Sequence, residues 1–382
     1  MKLKSFYLVS VSLTLFFLVS CSGSKNELAS VKEIFIGEVS SLSGTTASFG
    51  KSTHQGILLA LSELMVKGDH LGKKIKLLTE DSRSEEDSAI TAVKKLTEQD
   101  KVVAILGEVA SSRSLAIAPI CQNNRVPMIS PSSTNLQLTR IGDYIFRACF
   151  TDPFQGEILA KFIYNSLNIK RIAILKDAKN EYSLGLTEFF KSSFKRLGGQ
   201  ILGEESFFEG DVDFTSQLIS LKNLNPEAIF LPSYYREAAL IIRQARNLNM
   251  STPFVGSDGW DSVELTKLAG PAIDGSYYCN QFSADDPSAR VRAFVKQYQA
   301  RFHELPDASA ALGFDAANLL FTAIKKAGSI DREKIRAALA STKSFKGVTG
   351  TISFASDRNP RKAAVIEQII NGKSTYKETL TR

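Results

Sequence analysis

At 382 residues the chain is too long for a single ordinary hydrophobic core and points to about two domains. Its formal charge of +7 is spread along the whole length, with no dense Lys/Arg block interleaved with aromatics, so a nucleic-acid partner is not expected. The histidines are His54, His70 and His303, none paired at metal-ligand spacing, so neither a metal nor a cofactor is expected.

The chain opens on an export leader. Lys2 and Lys4 precede an apolar stretch, Phe6 to Val19, broken only by Ser and Thr. A bilayer span needs about 20 apolar residues, so this stretch reads as a signal peptide, residues 1–20, rather than a membrane helix. It ends in Leu18-Val19-Ser20-Cys21, which resembles the bacterial lipobox. That resemblance implies cleavage before Cys21, a lipid on its thiol and an exported protein anchored to a bacterial membrane on its periplasmic or extracellular face. Residues 21–30 are polar and read as a tether. Removing the leader takes away Lys2 and Lys4 and no acidic residue, which lowers the formal charge from +7 to +5. Of the remaining cysteines, Cys121, Cys149 and Cys279 read as buried structural thiols, with a Cys121–Cys149 disulfide as the alternative.

From residue 31 short β-branched runs alternate with amphipathic segments. Strands are expected over 34–39, 74–78, 102–106 and 126–129, with helices over 55–66 and 85–98 between them. The rhythm then restarts. Strands over 171–175, 200–203, 228–231 and 253–256 alternate with helices over 184–197, 214–224 and 237–248. Apolar strands alternating with helices mean parallel sheets covered on both faces, and two such runs mean two doubly wound, Rossmann-like lobes of α/β class. The tail is helical over 289–302, 308–327 and 331–340, ends in strand-like 351–354 and 364–369, and is expected to pack back onto the lobes.

Ligands of open α/β sheets bind beyond the carboxyl ends of the strands, so the loops there carry the functional argument. The first, Ser43-Gly44-Thr45-Thr46-Ala47-Ser48-Phe49-Gly50-Lys51-Ser52, looks like a P-loop but has one residue too many between Gly44 and Gly50. It is expected to be a glycine-permitted loop bringing Phe49 to a cleft. After the third and fourth strands come Gly107-Glu108-Val109-Ala110-Ser111-Ser112 and Ser130-Pro131-Ser132-Ser133-Thr134-Asn135. Their hydroxyls and amides describe a pocket for one carboxylate, held without any charged residue. The second run offers Tyr182, Tyr234, Tyr235 and Asp258 in the same relative places. A carboxylate on one lobe facing an anion-binding hydroxyl set on the other suits a zwitterion across the cleft.

In order along the chain, Ser40-Ser41-Leu42-Ser43-Gly44, Ile129 to Asn135, Leu138-Thr139-Arg140, Gln155-Gly156, Tyr182, Phe214, Ile242-Arg243-Gln244-Ala245-Arg246 and Phe254-Val255-Gly256 carry a resemblance. The chain resembles the periplasmic leucine/isoleucine/valine-binding protein family, the type I solute receptors of ABC transporters. The resemblance implies that Ser111, Ser132 and Thr134 grip the α-amino and α-carboxylate groups of an amino acid. It implies further that Tyr182 and Tyr234 wall the site, that Asp258 pairs with the ammonium, and that Phe49 closes it from the first loop. Asp258 stands where the amino-acid receptors often carry Glu, and Arg83 and Ala110 stand where the family disulfide would be. Glu108 and Trp260 near the pocket do not fit a purely aliphatic side-chain site.

The expected architecture is two lobes, 31–151 with 282–355 and 152–281 with 356–382, joined by a hinge that closes on ligand. The expected partners are a small amino acid, an ABC transporter permease and, through the lipid, a membrane, with the receptor acting as a monomer. A receptor for an amide, a urea or an aromatic acid is the alternative, as is a sensor for a signalling partner. An enzyme is disfavoured: there is no G-x-S-x-G, and Ser192-Ser193-Phe194-Lys195 fits S-x-x-K only inside a helix-like segment.

Overall fold

A computed structural model describes residues 33–68 and 72–381. The leader, Cys21 and the tether lie outside the described residues. The first sheet contains β1 (Glu33–Ser40), β2 (Lys74–Asp81), β3 (Ile105–Gly107), β4 (Met128–Ser130) and β5 (Ile145–Arg147). Its order is β2-β1-β3-β4-β5 and every pairing is parallel. The parallel arrangement follows from strands apolar on both faces: Ile34, Ile36, Val39, Ile105, Leu106, Met128 and Ile129 are all buried.

The second sheet repeats the pattern with β6 (Arg171–Asp177), β7 (Gln200–Phe207), β8 (Ala228–Leu231), β9 (Phe254–Gly256) and β10 (Tyr277–Asn280). A hairpin of β11 (Phe345–Gly347) and β12 (Gly350–Ile352) follows later in the chain, and β13 (Ala364–Ile370) and β14 (Lys373–Leu380) then join the second sheet antiparallel. The full order is β14-β13-β10-β9-β8-β6-β7. Strand order therefore reverses between β1 and β3 in one sheet and between β6 and β8 in the other. Those are the two switch points where open α/β sheets hold ligands.

The helical tail returns to the first sheet. Helix Ala308–Ala327 lies along helix Ala47–Lys67, and both contribute to a core that also takes Ile34, Ile36, Leu106, Ile352 and Phe354. Glycines set how close the two helices come. A Cβ on Gly56 would stand 2.0 Å from the Ala310 carbonyl oxygen, and one on Gly313 would stand 2.4 Å from that of Thr53. The second core is built around Phe190, Phe194, Phe230, Ile229 and Val255. The chain crosses between the sheets after β5, after β10 and after β12.

Several expectations shift. Helix Ala47–Lys67 begins at Ala47 rather than Gln55, so much of the supposed glycine loop is its first turns. Gly50 serves a close approach there, since a Cβ would lie 2.0 Å from the Ser41 carbonyl oxygen. β5, β10 and β14 were not expected. β14 reads KSTYKETL, a polar edge strand without alternation, which is how edges are kept from pairing with other chains. The strand expected over 351–354 is part of the hairpin instead. Cys121, Cys149 and Cys279 are buried free thiols, so the Cys121–Cys149 disulfide is not formed. Burial pushes the thiols of Cys121 and Cys149 up to about 12, which keeps them protonated and inert.

Candidate ligand-binding site

The two switch points face each other across a cleft. On the first side, Phe49 sits in the opening turn of helix Ala47–Lys67, and Ser111 opens helix Ser111–Asn123 directly after β3. The loops after β3 and β4 are laced together by short polar side chains. Ser132 Oγ donates to the Val109 carbonyl at 2.9 Å, Ser130 Oγ donates to that of Glu108 at 2.8 Å, and the Asn135 amide donates to Ser111 Oγ at 3.3 Å. With its oxygen engaged as an acceptor, the Ser111 hydroxyl proton remains available for a ligand.

On the second side, Tyr182 lies in the first turn of helix Glu181–Arg196. Its position is fixed by Asn180, whose side chain caps the helix by accepting from the Tyr182 and Ser183 amides. Tyr234 precedes helix Tyr235–Asn247, and Asp258 opens the 3-10 turn Asp258–Trp260 after β9. The rings of Tyr182 and Tyr234 stack at 5.2 Å with planes 3° apart, and Phe49 meets Tyr234 edge-on at 5.6 Å from the opposite lobe.

These residues line a small cavity of about 40 Å³. Phe49, Ser111, Ser132, Tyr182, Tyr234 and Asp258 all line it, so the structure brings together all but one of the site residues expected from sequence. The exception is Thr134, which is buried off the cavity wall with its hydroxyl unpartnered. Val109, Gly259 and Ser309 complete the lining. Gly259 is required by space: a Cβ would stand 2.7 Å from the Ser233 carbonyl oxygen and 3.1 Å from the Tyr182 ring. Ser309 comes from helix Ala308–Ala327, remote in sequence from every strand-end loop.

Asp258 is the electrostatic centre. Its Oδ1 accepts from Tyr182 Oη at 2.6 Å and from Gln155 Nε2 at 2.8 Å, and its Oδ2 accepts from Gln281 Nε2 at 2.9 Å. Burial raises its pKa, and these three neutral donors only partly offset that. The three donors thus orient the carboxyl group without supplying a countercharge. Burial, with Asp258 adding, holds the Tyr182 phenol well above its usual pKa, so it remains a neutral donor. The Tyr234 hydroxyl is buried without a hydrogen-bond partner, and burial raises its pKa too.

Glu108 and Trp260 do not line the cavity. Glu108 is buried behind the loop, accepting from Ser41 Oγ, Ser82 Oγ, the Ala110 amide and Arg113 Nε. Trp260 packs its indole against Gly256 and donates Nε1–H to the Leu231 carbonyl. The expected objection to an aliphatic pocket therefore lapses. Among the described residues no charged side chain lines the cavity on this side, and two buried arginines stand behind it. Arg113 bonds Glu108 and Thr46 Oγ1, and Arg147 bonds the loop backbone.

The lobes are closed on each other. Tyr235 Oη donates to the Thr45 carbonyl at 3.0 Å, Ser48 Oγ and Ser262 Oγ are 2.7 Å apart, and Asn135 Nδ2 donates to the Glu181 carbonyl at 2.8 Å.

Fold and cavity together define a two-lobed receptor of the type I periplasmic binding protein fold. The periplasmic binding protein family matches residues 33–373, and the chain belongs to that family. It is 30% identical over 87% of its length to the Leu/Ile/Val-binding protein homolog 2 of Brucella abortus, covering 88% of that protein. Among solved structures it resembles the leucine-binding protein LivK of Thermotoga maritima, with a TM-score of 0.88 and 37% identity over 91% of this chain and 99% of that one. It also resembles the branched-chain amino acid transporter substrate-binding protein LivJ of Streptococcus pneumoniae in complex with isoleucine, with a TM-score of 0.87 and 34% identity over 92% of this chain and 100% of that one.

One titratable group beside the cavity gives a pH signature. Asp152, the first residue of helix Asp152–Lys161, is fully buried and neither carboxylate oxygen has a hydrogen-bond partner. Burial pushes its pKa up to about 8; the charge of Asp258 adds to this, while the nearby Thr134 hydroxyl and Arg147 oppose it. An Asp in the unfolded chain ionises near pH 4 (about 3.9). Between these values the folded state holds a proton that the unfolded state has lost, so the contribution of Asp152 to stability falls as pH rises. Asp152→Asn removes that dependence. Its melting temperature relative to wild type is expected to climb between about pH 5 and pH 8, and a difference that stays flat over thermal scans in that window contradicts the assignment.

Proposed function

We propose that the protein is an exported receptor that captures one small amino acid, branched-chain or related, and delivers it to an ABC transporter permease. The observation that carries the reading is the placement of Asp258, a carboxylate held only by neutral donors, across a small cavity from loops rich in hydroxyls and amides. A ligand ammonium supplies the cation that Asp258 lacks. The ligand carboxylate faces the loops bearing Ser111, Ser132 and Thr134. Its apolar side chain packs against Phe49, Val109 and the faces of Tyr182 and Tyr234, where a buried methylene is worth about 0.8 kcal/mol. The Leu/Ile/Val-binding protein homolog of Brucella and the isoleucine-bound LivJ of Streptococcus support the same ligand class. A urea or an amide brings no cation and an aromatic acid brings a second anion, so each would leave the buried Asp258 without a charge partner.

Ligand first docks on one lobe, and closure adds the groups of the other. Closure is driven only by contacts unique to the closed state, which here include those of Tyr182, Tyr234 and Asp258. We place the lobes at 31–151 with 282–355 and at 152–281 with 356–382, and read the protein as a monomeric receptor without catalytic chemistry. The closed clamp is the form a permease recognises.

Removing one partner of a buried charge pair costs about 2–5 kcal/mol, so Asp258→Ala is expected to weaken amino-acid binding by about thirtyfold or more. Ser62→Ala serves as the control, because its hydroxyl only bonds the Leu59 carbonyl within its own helix. Calorimetry with a panel of amino acids measures both, and unchanged affinity in Asp258→Ala refutes the site. The lipid anchor at Cys21 is part of the same proposal. Metabolic palmitate labelling of wild type with none in Cys21→Ser is the expected result, and equal labelling removes the anchor.

A further inference from the structure

The last residue of β5, Arg147, is completely buried, and its hydrogen bonds go to main-chain carbonyls rather than to a carboxylate. Nη1 donates to the Ser133 carbonyl and Nη2 to the Asn135 carbonyl, each at 2.6 Å, while Nε has no partner. Cys149 Sγ approaches the same Ser133 oxygen at 3.2 Å. The guanidinium fork thus grips two alternate carbonyls of the loop that runs from Ser132 to Asn135. In a trans peptide the N–H points opposite to the C=O, so drawing these two carbonyls toward Arg147 turns the N–H groups of Thr134 and Leu136 away from it. The grip also polarises those peptides, because a charge-assisted hydrogen bond on the carbonyl makes the N–H of the same peptide a stronger donor.

We propose that Arg147 is the positioning residue for the ligand carboxylate: from behind the loop it fixes the turn that carries Ser132 on the cavity wall, polarises the loop's peptides and supplies the positive field that the wall itself lacks. Burial explains why a cation is used in this indirect way. A guanidinium on the cavity wall would pair with Asp258 and fill the site, whereas one behind the loop favours an anion without competing for the ammonium pole. The surroundings agree. Asp152, the acidic group beside Arg147, makes no hydrogen bond to it, and no carboxylate accepts from its fork. An arginine is needed rather than a lysine because only the planar fork reaches two carbonyls at once.

The inference rests on the amino-acid reading, and its test separates the two. Calorimetry compares L-leucine with L-leucinamide, which keeps the ammonium and side chain but has no carboxylate, in wild type, Arg147→Met and Arg147→Lys. Wild type is expected to prefer leucine. In Arg147→Met that preference shrinks by about tenfold or more, the usual worth of hydrogen bonding to a charged group, while leucinamide affinity changes little. Arg147→Lys keeps a cation but not the fork, and loses part of the preference; it carries the test if the Met variant does not fold. A purely structural role lowers both affinities together and leaves the preference intact, and that result overturns the proposal alone. A wild type with no preference for leucine over leucinamide overturns the amino-acid reading along with it.

Discussion

A carboxylate withdrawn from water and held by neutral donors alone is an unfinished interaction, and Asp258 is such a group. Its three donors come from three separate places in the chain. Tyr182 follows β6, Gln155 lies on the helix after the first crossover, and Gln281 follows β10 at the second crossover. Each must be in place for the carboxylate to be oriented, and together they leave its charge to be matched from the cavity. Transferring an ion out of water costs several kcal/mol unless it is paired, so the arrangement is most favourable when a cation arrives. On the proposed reading the site suits a ligand with an ammonium group.

The opposite pole is built by a different means. Two sheets with the same strand order present their switch points to one another, so whatever follows β3 and β4 faces whatever follows β6, β8 and β9. The first lobe presents serine side chains to the cavity and keeps its cations one layer back. Arg113 is satisfied by Glu108, Thr46 and the Ser84 carbonyl; Arg147 is spent on the loop backbone. Aromatic rings from both lobes fill the space between the poles, and Phe49 against Tyr234 and Tyr235 carries apolar contact across the closed cleft. Polar bonds such as Tyr235 to Thr45 then close the rim outside the cavity.

Much of this was legible in the sequence because strand-end loops are local. Ser111, Ser132, Tyr182, Tyr234 and Asp258 each follow a strand recognisable from its β-branched run, and the topology rule places such loops at the ligand. The residues that were missed had no such local signal. Gln281 follows β10, a short strand hidden in Tyr-Tyr-Cys-Asn, and Arg147 ends β5, whose three residues are too few to show a period. Ser309 reaches the cavity only because helix Ala308–Ala327 packs back on helix Ala47–Lys67, a contact between segments far apart in the chain. Gly50 was read as a loop glycine, when its task is to let a helix turn pass the backbone at Ser41. Thr134 was placed in the right loop, but whether its side chain meets the cavity depends on how Arg147 turns that loop, which pattern alone does not encode.

The central claim is that the cavity is completed by a ligand cation at Asp258. The most direct measurement compares, by calorimetry on the full exported protein, L-leucine with 4-methylpentanoate, the same acid and side chain without the ammonium. The account predicts that leucine binds and that 4-methylpentanoate binds at least about thirtyfold more weakly, the loss expected when a buried charge is left unpaired. Equal affinity for the two acids would contradict it, and would show that Asp258 meets no cation when the site is filled.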